Sequence, residues 1–246
     1  MLQATEVYNF MSMKNIIIVA VLAVILIGGG AYYFISTKTP DVPASTEEAT
    51  ATGVSQQMSF FVTSANPGKG GDLGGLMGAD AYCGQLAEAA GVTGKTWRAY
   101  LSAGATADNP VVNARERIGY GPWYNAKGVL IAENGPQLHG ENNLNKETAL
   151  TEKGEVVSGR GDEVNMHDML TGADANGLYA AGPIDTTCHN WTSSDEGSAY
   201  VGHHDRIGIN DSAPMKSWNS SHETRGCSME DLKATGGGGL FYCFAQ

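Results

Sequence analysis

The longest uninterrupted hydrophobic stretch of the chain lies near its N-terminus. Residues Ile16 to Ile35 (IIIVAVLAVILIGGGAYYFI) carry no charge and are mostly apolar. At about 1.5 Å per residue, a helix of this length crosses a hydrocarbon core of about 30 Å. Tyr32 and Tyr33 lie near its outer end, where aromatic rings favour the membrane interface. The pattern therefore predicts a transmembrane anchor over residues 16–35.

A cleaved signal peptide is the main alternative to an anchor. Its apolar region would be about 7–15 residues long, and an A-x-A-like cleavage site would follow it. The nearest such triplet is Val42–Ala44, well beyond the apolar stretch. We therefore expect the stretch to be retained as a single-pass anchor in the cell membrane. Lys14 and Lys38 balance each other across it, so charge does not set its orientation.

The cysteines set the orientation instead. All four follow the apolar stretch, and an even number suits disulfides in an oxidising compartment. Residues 1–15 are therefore predicted to be cytoplasmic, and the large C-terminal part to be extracellular or periplasmic. Residues 36–57 are rich in Ser, Thr, Ala and Pro without apolar periodicity, which predicts a flexible stalk. The span 58–246 is long enough for one domain with its own core.

Within this domain, one segment has the periodicity of an amphipathic helix. Cys83, Leu86, Ala87 and Ala90 share one helical face, which we expect to pack on the core. Asp80 would lie in the first turn, where its charge favours the helix N-terminus. Gly91 can take the left-handed conformation just past the end.

Four short segments have the alternating or β-branched pattern of strands. They are 58–64 (MSFFVTS), 95–102 (KTWRAYLS), 128–134 (GVLIAEN) and 239–246 (GLFYCFAQ). In the second, Trp97, Ala99 and Leu101 lie on one face and Thr96, Arg98 and Tyr100 on the other, more polar face, which predicts a half-buried strand. Residues 103–168 are rich in Gly, Asn and Glu and are expected to hold little regular structure.

Net charge narrows the classes of partner. The whole chain carries a formal charge of −11, and residues 58–246 contain 13 Lys or Arg against 22 Asp or Glu, a net of −9. Such a surface argues against nucleic acid, heparin-like polyanions and anionic membranes as partners. We therefore expect no nucleic-acid partner, and membrane contact only through residues 16–35.

Several segments together resemble a known family. In order they are the first strand, GDLGGLMGADAYC, KTWRAYLS, HDMLTGADANG, TCHNWTS and a last cysteine in LFYCF. This set is similar to the bacterial secreted domains related to endostatin, which have a C-type-lectin-like fold. The resemblance implies an α+β domain with short helices, small antiparallel sheets and a long loop region. It also implies nested disulfides, Cys83–Cys243 and Cys188–Cys227, although four cysteines alone allow three pairings.

Calcium-dependent sugar binding in C-type lectins needs oxygen ligands that this chain lacks. The proline nearest the expected place, Pro183, is flanked by Gly182 and Ile184, which have no side-chain oxygen. Ser220 stands where a carboxylate would be needed, and a hard cation takes six to eight oxygens. We therefore expect ligand binding without calcium. Residues 174–177 (DANG) match the start of a calcium loop but are expected to form a β-turn.

The segment VGHHDRIG concentrates polar chemistry at residues 201–208. It shows no convincing metal-ligand spacing and no nucleophile partner, so we predict no metal, no cofactor and no catalytic residue there. One interpretation is an Asp205–Arg206 ion pair that braces a loop. The other is a polar rim beside an aromatic side chain, as a sugar or peptide pocket requires. On that interpretation the ligand-binding residues are His203, Asp205, Arg206, Trp218, Asn219 and His222.

These observations predict a membrane-anchored recognition or adhesion protein that displays one disulfide-linked domain and binds a glycan or a surface protein. An enzyme on the same scaffold is the first alternative, since some relatives of the fold carry an active cysteine. An architectural envelope protein without a small ligand is the second. The tripeptide RGD at 160–162 is interpreted as chance in a loop rich in Gly and Asp.

Overall fold

The computed structural model describes residues 53–246. The predicted anchor and most of the predicted stalk lie outside this range. No helix within it is both long and apolar enough to cross a membrane. Val54 and Ser55, at the C-terminal end of the predicted stalk, are buried, and the N–H of Ser55 donates to the carbonyl of Ala126 at 2.8 Å. The packed structure therefore begins before residue 58.

The described part of the chain is α+β, with short helices and small sheets, as predicted. Its strands are β1 (Phe60–Val62), β2 (Trp97–Ala99), β3 (Trp123–Tyr124), β4 (Leu130–Ala132), β5 (Asp168–Leu170), β6 (Tyr200–His203), β7 (His222–Glu223) and β8 (Gly237–Ala245). Its helices are α1 (Gly75–Ala89), α2 (Ala114–Arg117), α3 (Gly135–Leu138), the single turn α4 (Cys188–Trp191) and α5 (Met229–Thr235), with a 3-10 turn at Pro214–Lys216.

Strand β8 organises the main sheet. The strand order is β1-β8-β5-β6-β7, and β2 also pairs with β8. Strands β1 and β2 run antiparallel to the C-terminal half of β8, while β5 runs parallel to its N-terminal half. Strands β3 and β4 form a separate two-stranded sheet. All four predicted strands are present, and the region 103–168 contains only short elements, as expected.

Helix α1 confirms the predicted apolar face and corrects the position of its start. Cys83 and Ala87 are fully buried, and Gly91 has a φ of 86°. The helix begins at Gly75, so Asp80 lies in its interior and not in its first turn. The Asp80 carboxylate instead accepts hydrogen bonds from Arg117 Nη2 at 2.8 Å and from Arg98 Nη1 at 2.9 Å. This ion network joins α1 to β2 and α2.

Two disulfides link distant parts of the domain. Cys83 pairs with Cys243 and Cys188 with Cys227, which is the nested pairing that the resemblance implies. The first joins the middle of α1 to β8. The second closes the segment that contains β6 and β7. All four cysteines are used.

The second disulfide starts from a left-handed turn. The four residues of α4, Cys188–Trp191, have φ angles between 47° and 66°. Such a conformation costs about 1–2 kcal/mol for each non-glycine residue, and local acceptors offset this cost. Thr187 Oγ1 accepts from the N–H of Asn190 at 3.1 Å, and the indole N–H of Trp191 donates to the carbonyl of Ser102 at 2.7 Å.

Candidate functional site

Three of the six predicted ligand-binding residues line one cleft. They are Arg206, Trp218 and Asn219, and the cleft has a volume of about 590 Å³. The segment from the 3-10 turn to β7 forms one wall, and His139 and Gly140, just after α3, form another. The half-buried Tyr200 of β6 also lines the cleft, and neither it nor His139 was among the predicted residues.

Trp218 and Asn219 form the floor of this cleft. Trp218 is only 3% exposed and packs on Tyr100, with 4.8 Å between ring centroids, and on Tyr242 at 5.2 Å. The amide Nδ2 of Asn219 donates to Tyr100 Oη at 3.0 Å and to the carbonyl of Asp174 at 3.0 Å. Because both of these hydrogen bonds go to protein atoms, the main role of the Asn219 amide is to hold the floor of the cleft in place.

The Asp205–Arg206 ion pair is not formed, because the two side chains point to different partners. The Arg206 guanidinium donates to the carbonyls of Leu144 and Lys216, at 3.0 and 3.1 Å, and to Asn142 Oδ1 at 2.5 Å. Arg206 therefore holds the loops at residues 142–144 and 216 together by donating hydrogen bonds to their oxygen atoms. Burial lowers the pKa of Arg206 from its ordinary value.

Asp205 faces the protein interior and not the cleft. Its carboxylate accepts from the N–H groups of Arg160 and Ile207 at 2.7 and 3.0 Å, and Oδ1 lies 3.4 Å from Nδ1 of His167. Burial acts to raise the pKa of Asp205, but the hydrogen bonds from His167 and the two backbone N–H groups outweigh it and hold the pKa at about 2. Asp205 is therefore an anion that orients the His167 ring.

His203 and His222, the remaining two predicted residues, meet at a second, buried location. There they join His167 and Asp168, which sequence reasoning did not single out. The Asp168 Oδ1 atom lies 3.2 Å from Nε2 of His167, 3.3 Å from Nε2 of His203 and 3.6 Å from Nε2 of His222. The two Nε2 atoms of His203 and His222 are 3.0 Å apart. We call these four residues the histidine cluster.

Strand pairing brings the histidine cluster together. Asp168 at the start of β5 lies directly opposite His203 at the end of β6. His222 in β7 lies opposite Val201, two residues before His203 and therefore on the same face of the sheet. The side chains of His167, Asp168 and His203 are 2–3% exposed, while that of His222 is 30% exposed.

The outer nitrogen of each of the three histidines faces a hydrogen-bond acceptor. Nδ1 of His167 faces the Asp205 carboxylate, that of His203 lies 2.8 Å from the carbonyl of Met215, and that of His222 lies 3.1 Å from the carbonyl of Glu223. Carbonyl and carboxylate oxygens only accept hydrogen bonds, so each Nδ1 is the donor. In a neutral imidazole the Nε2 atom then holds a bare lone pair. These three Nε2 atoms lie within 3.6 Å of Asp168 Oδ1.

The Asp168 carboxylate itself has no hydrogen-bond donor. Both of its oxygens are buried and accept no hydrogen bond from any residue in the range 53–246. The nearby Nε2 atoms are close but do not have donor geometry. His167, Asp168 and His203 alone place three potential metal-ligand atoms within 4.8 Å of one another. The residues that could hold a metal are therefore these three and His222.

The other polar motifs have local structural roles. Asp174 Oδ1 accepts from the N–H groups of Asn176 and Leu178, and Gly177 has a φ of 77°, so residues 174–177 form the expected turn. Asp162, in the RGD tripeptide, pairs with Lys146 at 2.7 Å.

Comparison with known proteins does not assign the chain to a family. No family model matches the chain, and no curated protein matches it.

Proposed function

We propose that the chain is a membrane-anchored recognition protein whose external domain has a C-type-lectin-like fold of the endostatin-related type and binds a glycan. The observation that carries this proposal is the cleft of about 590 Å³ above Trp218. A volume of this size falls in the range of small-molecule sites. The half-buried ring of Tyr200 gives it an accessible aromatic surface, which suits the apolar face of a sugar.

The charges of the cleft favour an acidic sugar. Arg206 and Lys216 line it, and no carboxylate does, although the chain as a whole has a charge of −11. Lys216 Nζ pairs with Asp211 at 2.7 Å, but the Asp211 side chain is 94% exposed. An ion pair so exposed is weak, so Lys216 can turn towards a ligand anion. A cleft with two cations on an otherwise acidic protein selects for ligands that carry a negative charge.

Two observations bear on the rival functions. An enzyme with a nucleophilic cysteine needs a free thiol, whereas all four cysteines are in disulfides. An architectural role needs no cleft with an aromatic wall and two cations. We therefore place recognition ahead of both.

A glycan array tests this proposal. The full chain in detergent is applied to an array that contains neutral sugars and sugars with carboxylates or sulfates. Tyr200→Leu and Lys216→Gln change the cleft, and Lys233→Gln on the exposed face of α5 is the matched control. We expect binding to acidic sugars, about fivefold weaker in Lys216→Gln, because one partly exposed charge contact is worth about 1 kcal/mol. The control should bind normally.

Binding that ignores both cleft substitutions would refute this placement of the site. Absence of any glycan binding, together with capture of a surface protein that depends on Lys216, would replace the glycan with a protein ligand. Absence of both would favour the architectural role.

A further inference from the structure

We infer that the histidine cluster, His167, Asp168, His203 and His222, is a binding site for a divalent transition metal, with Zn²⁺ as the preferred ion. This site is separate from the cleft, and the inference does not depend on the glycan proposal. It rests on the chemistry of the four facing atoms, on their spacing and on their burial.

The first argument is that only acceptors face one another. When each Nδ1 donates outward, a neutral ring leaves Nε2 as an electron-pair donor, and these three atoms lie within 3.6 Å of Asp168 Oδ1, which is itself an acceptor. Burying such groups without a partner is costly, and burying an unpaired carboxylate costs more still. A cation between them removes this conflict. Either a metal ion or an extra proton on one imidazole can serve, and the next two arguments favour the metal.

The second argument is the spacing. Ligand bonds of about 2.0–2.2 Å to Zn²⁺ place neighbouring ligand atoms of a tetrahedron about 3.3–3.5 Å apart. Oδ1 of Asp168 lies 3.2, 3.3 and 3.6 Å from the three Nε2 atoms. The Nε2 atoms of His203 and His222 are 3.0 Å apart. A shared proton would account for one of these short contacts and leave the others unexplained.

The third argument is that hydrogen bonds from the outer nitrogens hold the three histidine rings in place. Metal-binding histidines usually donate their other ring N–H to a carboxylate or a backbone carbonyl, which fixes the tautomer and the ring orientation. All three histidines do this, through Asp205 and the carbonyls of Met215 and Glu223. The carboxylates of Asp168 and Asp205 together balance the charge of a divalent ion.

The donor set determines the class of metal. Three imidazole nitrogens and one carboxylate suit Zn²⁺ and its neighbours among the first-row transition metals, whereas Ca²⁺ and Mg²⁺ require oxygen ligands. With His222 as the fourth ligand, the set would form the tetrahedron that is typical of structural sites. The ion would join β5, β6 and β7 at one edge of the main sheet.

Access to the site is one-sided. His222, at 30% exposure, is the ligand that solvent reaches. The chain at Gly236 closes the opposite side, because a Cβ built there would lie 3.1 Å from His167 Nε2 and 3.2 Å from Asp168 Oδ2. Gly236 also has a φ of 137°, a conformation that other residues rarely adopt. We therefore expect the ion to enter past His222.

Metal content and titration test the site. The full chain is purified without a polyhistidine tag, analysed for metal by mass spectrometry, stripped with a chelator and titrated with Zn²⁺. We expect about one Zn²⁺ per chain, a higher melting temperature with the ion, and the strong visible absorption of tetrahedral coordination when Co²⁺ replaces it. Changing a residue behind a ligand typically weakens metal affinity by 10–100-fold. His222→Gln removes a ligand and should therefore weaken it by about 100-fold or more.

Two further variants make the test decisive. His189→Gln changes an exposed histidine outside the cluster and should leave Zn²⁺ affinity unchanged. Asp168→Asn should abolish the tetrahedral Co²⁺ spectrum; should it fail to fold, the partly exposed His222→Gln still carries the test. The inference is overturned if the chain neither contains nor binds Zn²⁺, which would mean that a proton holds the cluster. It is also overturned if His222→Gln binds Zn²⁺ as the parent chain does.

Discussion

The two ends of the main sheet each bury a carboxylate, but they surround it with opposite chemistry. At the β1/β2 end, Asp80 accepts from two arginines and from the N–H of Ala99 at 2.9 Å. At the β7 end, Asp168 lies beside three imidazole Nε2 atoms and accepts no hydrogen bond from residues 53–246. A carboxylate matched by donors needs no further partner. One that faces only acceptors indicates a site for a cation, so the arrangement of partners, and not burial alone, separates structure from function.

The largest expected effect concerns the two disulfides, Cys83–Cys243 and Cys188–Cys227. The Cys83–Cys243 loop spans 160 residues and the Cys188–Cys227 loop spans 39. Loop-closure entropy assigns them about 5 and about 4 kcal/mol, a difference of about 1.2 kcal/mol. Replacing Cys83 and Cys243 with Ala should therefore lower the free energy of unfolding more than replacing Cys188 and Cys227. Denaturant unfolding of both double variants measures this, and a larger loss for the second pair would reverse the ranking.

The next effect tests the matched carboxylate. Asp80→Asn leaves Arg117, whose side chain is 11% exposed, without its anion. Breaking such a pair from one side should cost about 3 kcal/mol. The loss should be the same with and without Zn²⁺, as read by denaturant unfolding. A loss below about 1 kcal/mol would mean that solvent replaces the pairing and would weaken the comparison.

The unmatched carboxylate should behave in the opposite way. In the metal-free chain, Asp168→Asn removes a buried charge and supplies an amide N–H that can donate to an Nε2 lone pair. We expect stability to rise by about 1 kcal/mol. With Zn²⁺ present the same variant should be less stable than the parent, because the parent alone gains binding energy. Thermal unfolding with and without the metal measures both signs. Destabilisation in the metal-free state would instead indicate a carboxylate paired with a protonated histidine.

The smallest effect uses a histidine whose nitrogens are both satisfied. His139 Nδ1 lies 2.8 Å from the carbonyl of Gly135, and Nε2 lies 2.8 Å from Tyr100 Oη. Burial lowers the pKa of His139, although the bond to Gly135 opposes this. Its folded pKa is therefore below the unfolded value of about 6.5. The stability it contributes is present above that pH and is lost as the pH falls towards the folded pKa, by at most about 1.4 kcal/mol per pH unit.

A variant isolates the contribution of His139. His139→Gln should flatten the dependence of unfolding free energy on pH between about 6.5 and 5 relative to the parent. Unfolding curves at several pH values provide the measurement. An unchanged slope would assign the acid sensitivity to other groups.

The sequence predicted local structure well where periodicity carries the information. The apolar face of Cys83 and Ala87 identified α1, and β8 was visible in GLFYCFAQ. The start of α1 was wrong because a segment with Gly74, Gly75 and Gly78 looks like a loop, although Gly74 and Gly75, both with left-handed backbones, let the helix begin there. Tyr100 was assigned to the polar face of its strand but is fully buried, because Asn219 and His139 satisfy its hydroxyl.

The histidine cluster could not be found from spacing alone. His203 and His222 were predicted site residues, but Asp168 lies 35 residues before His203, and only the β5–β6 register places the two side by side. His167 and Asp168 stood in HDMLTGADANG, which was noted only as one of the segments that carry the resemblance. The cleft was predicted only in part, since His139 and Tyr200 reach it through tertiary packing.

The position of β8 also has a consequence for the timing of folding. This strand pairs with β1, β2 and β5 and carries Cys243, yet it spans residues 237–245. During synthesis the apolar faces of β1 and α1 therefore stay unpaired until β8, the last strand of the described range, has been made. At about 5–20 residues per second, that delay is roughly 10–40 seconds. During this time the nascent chain exposes apolar side chains of β1 and α1 and an unpaired Cys83. Its folding therefore depends on what protects these groups until β8 has been made.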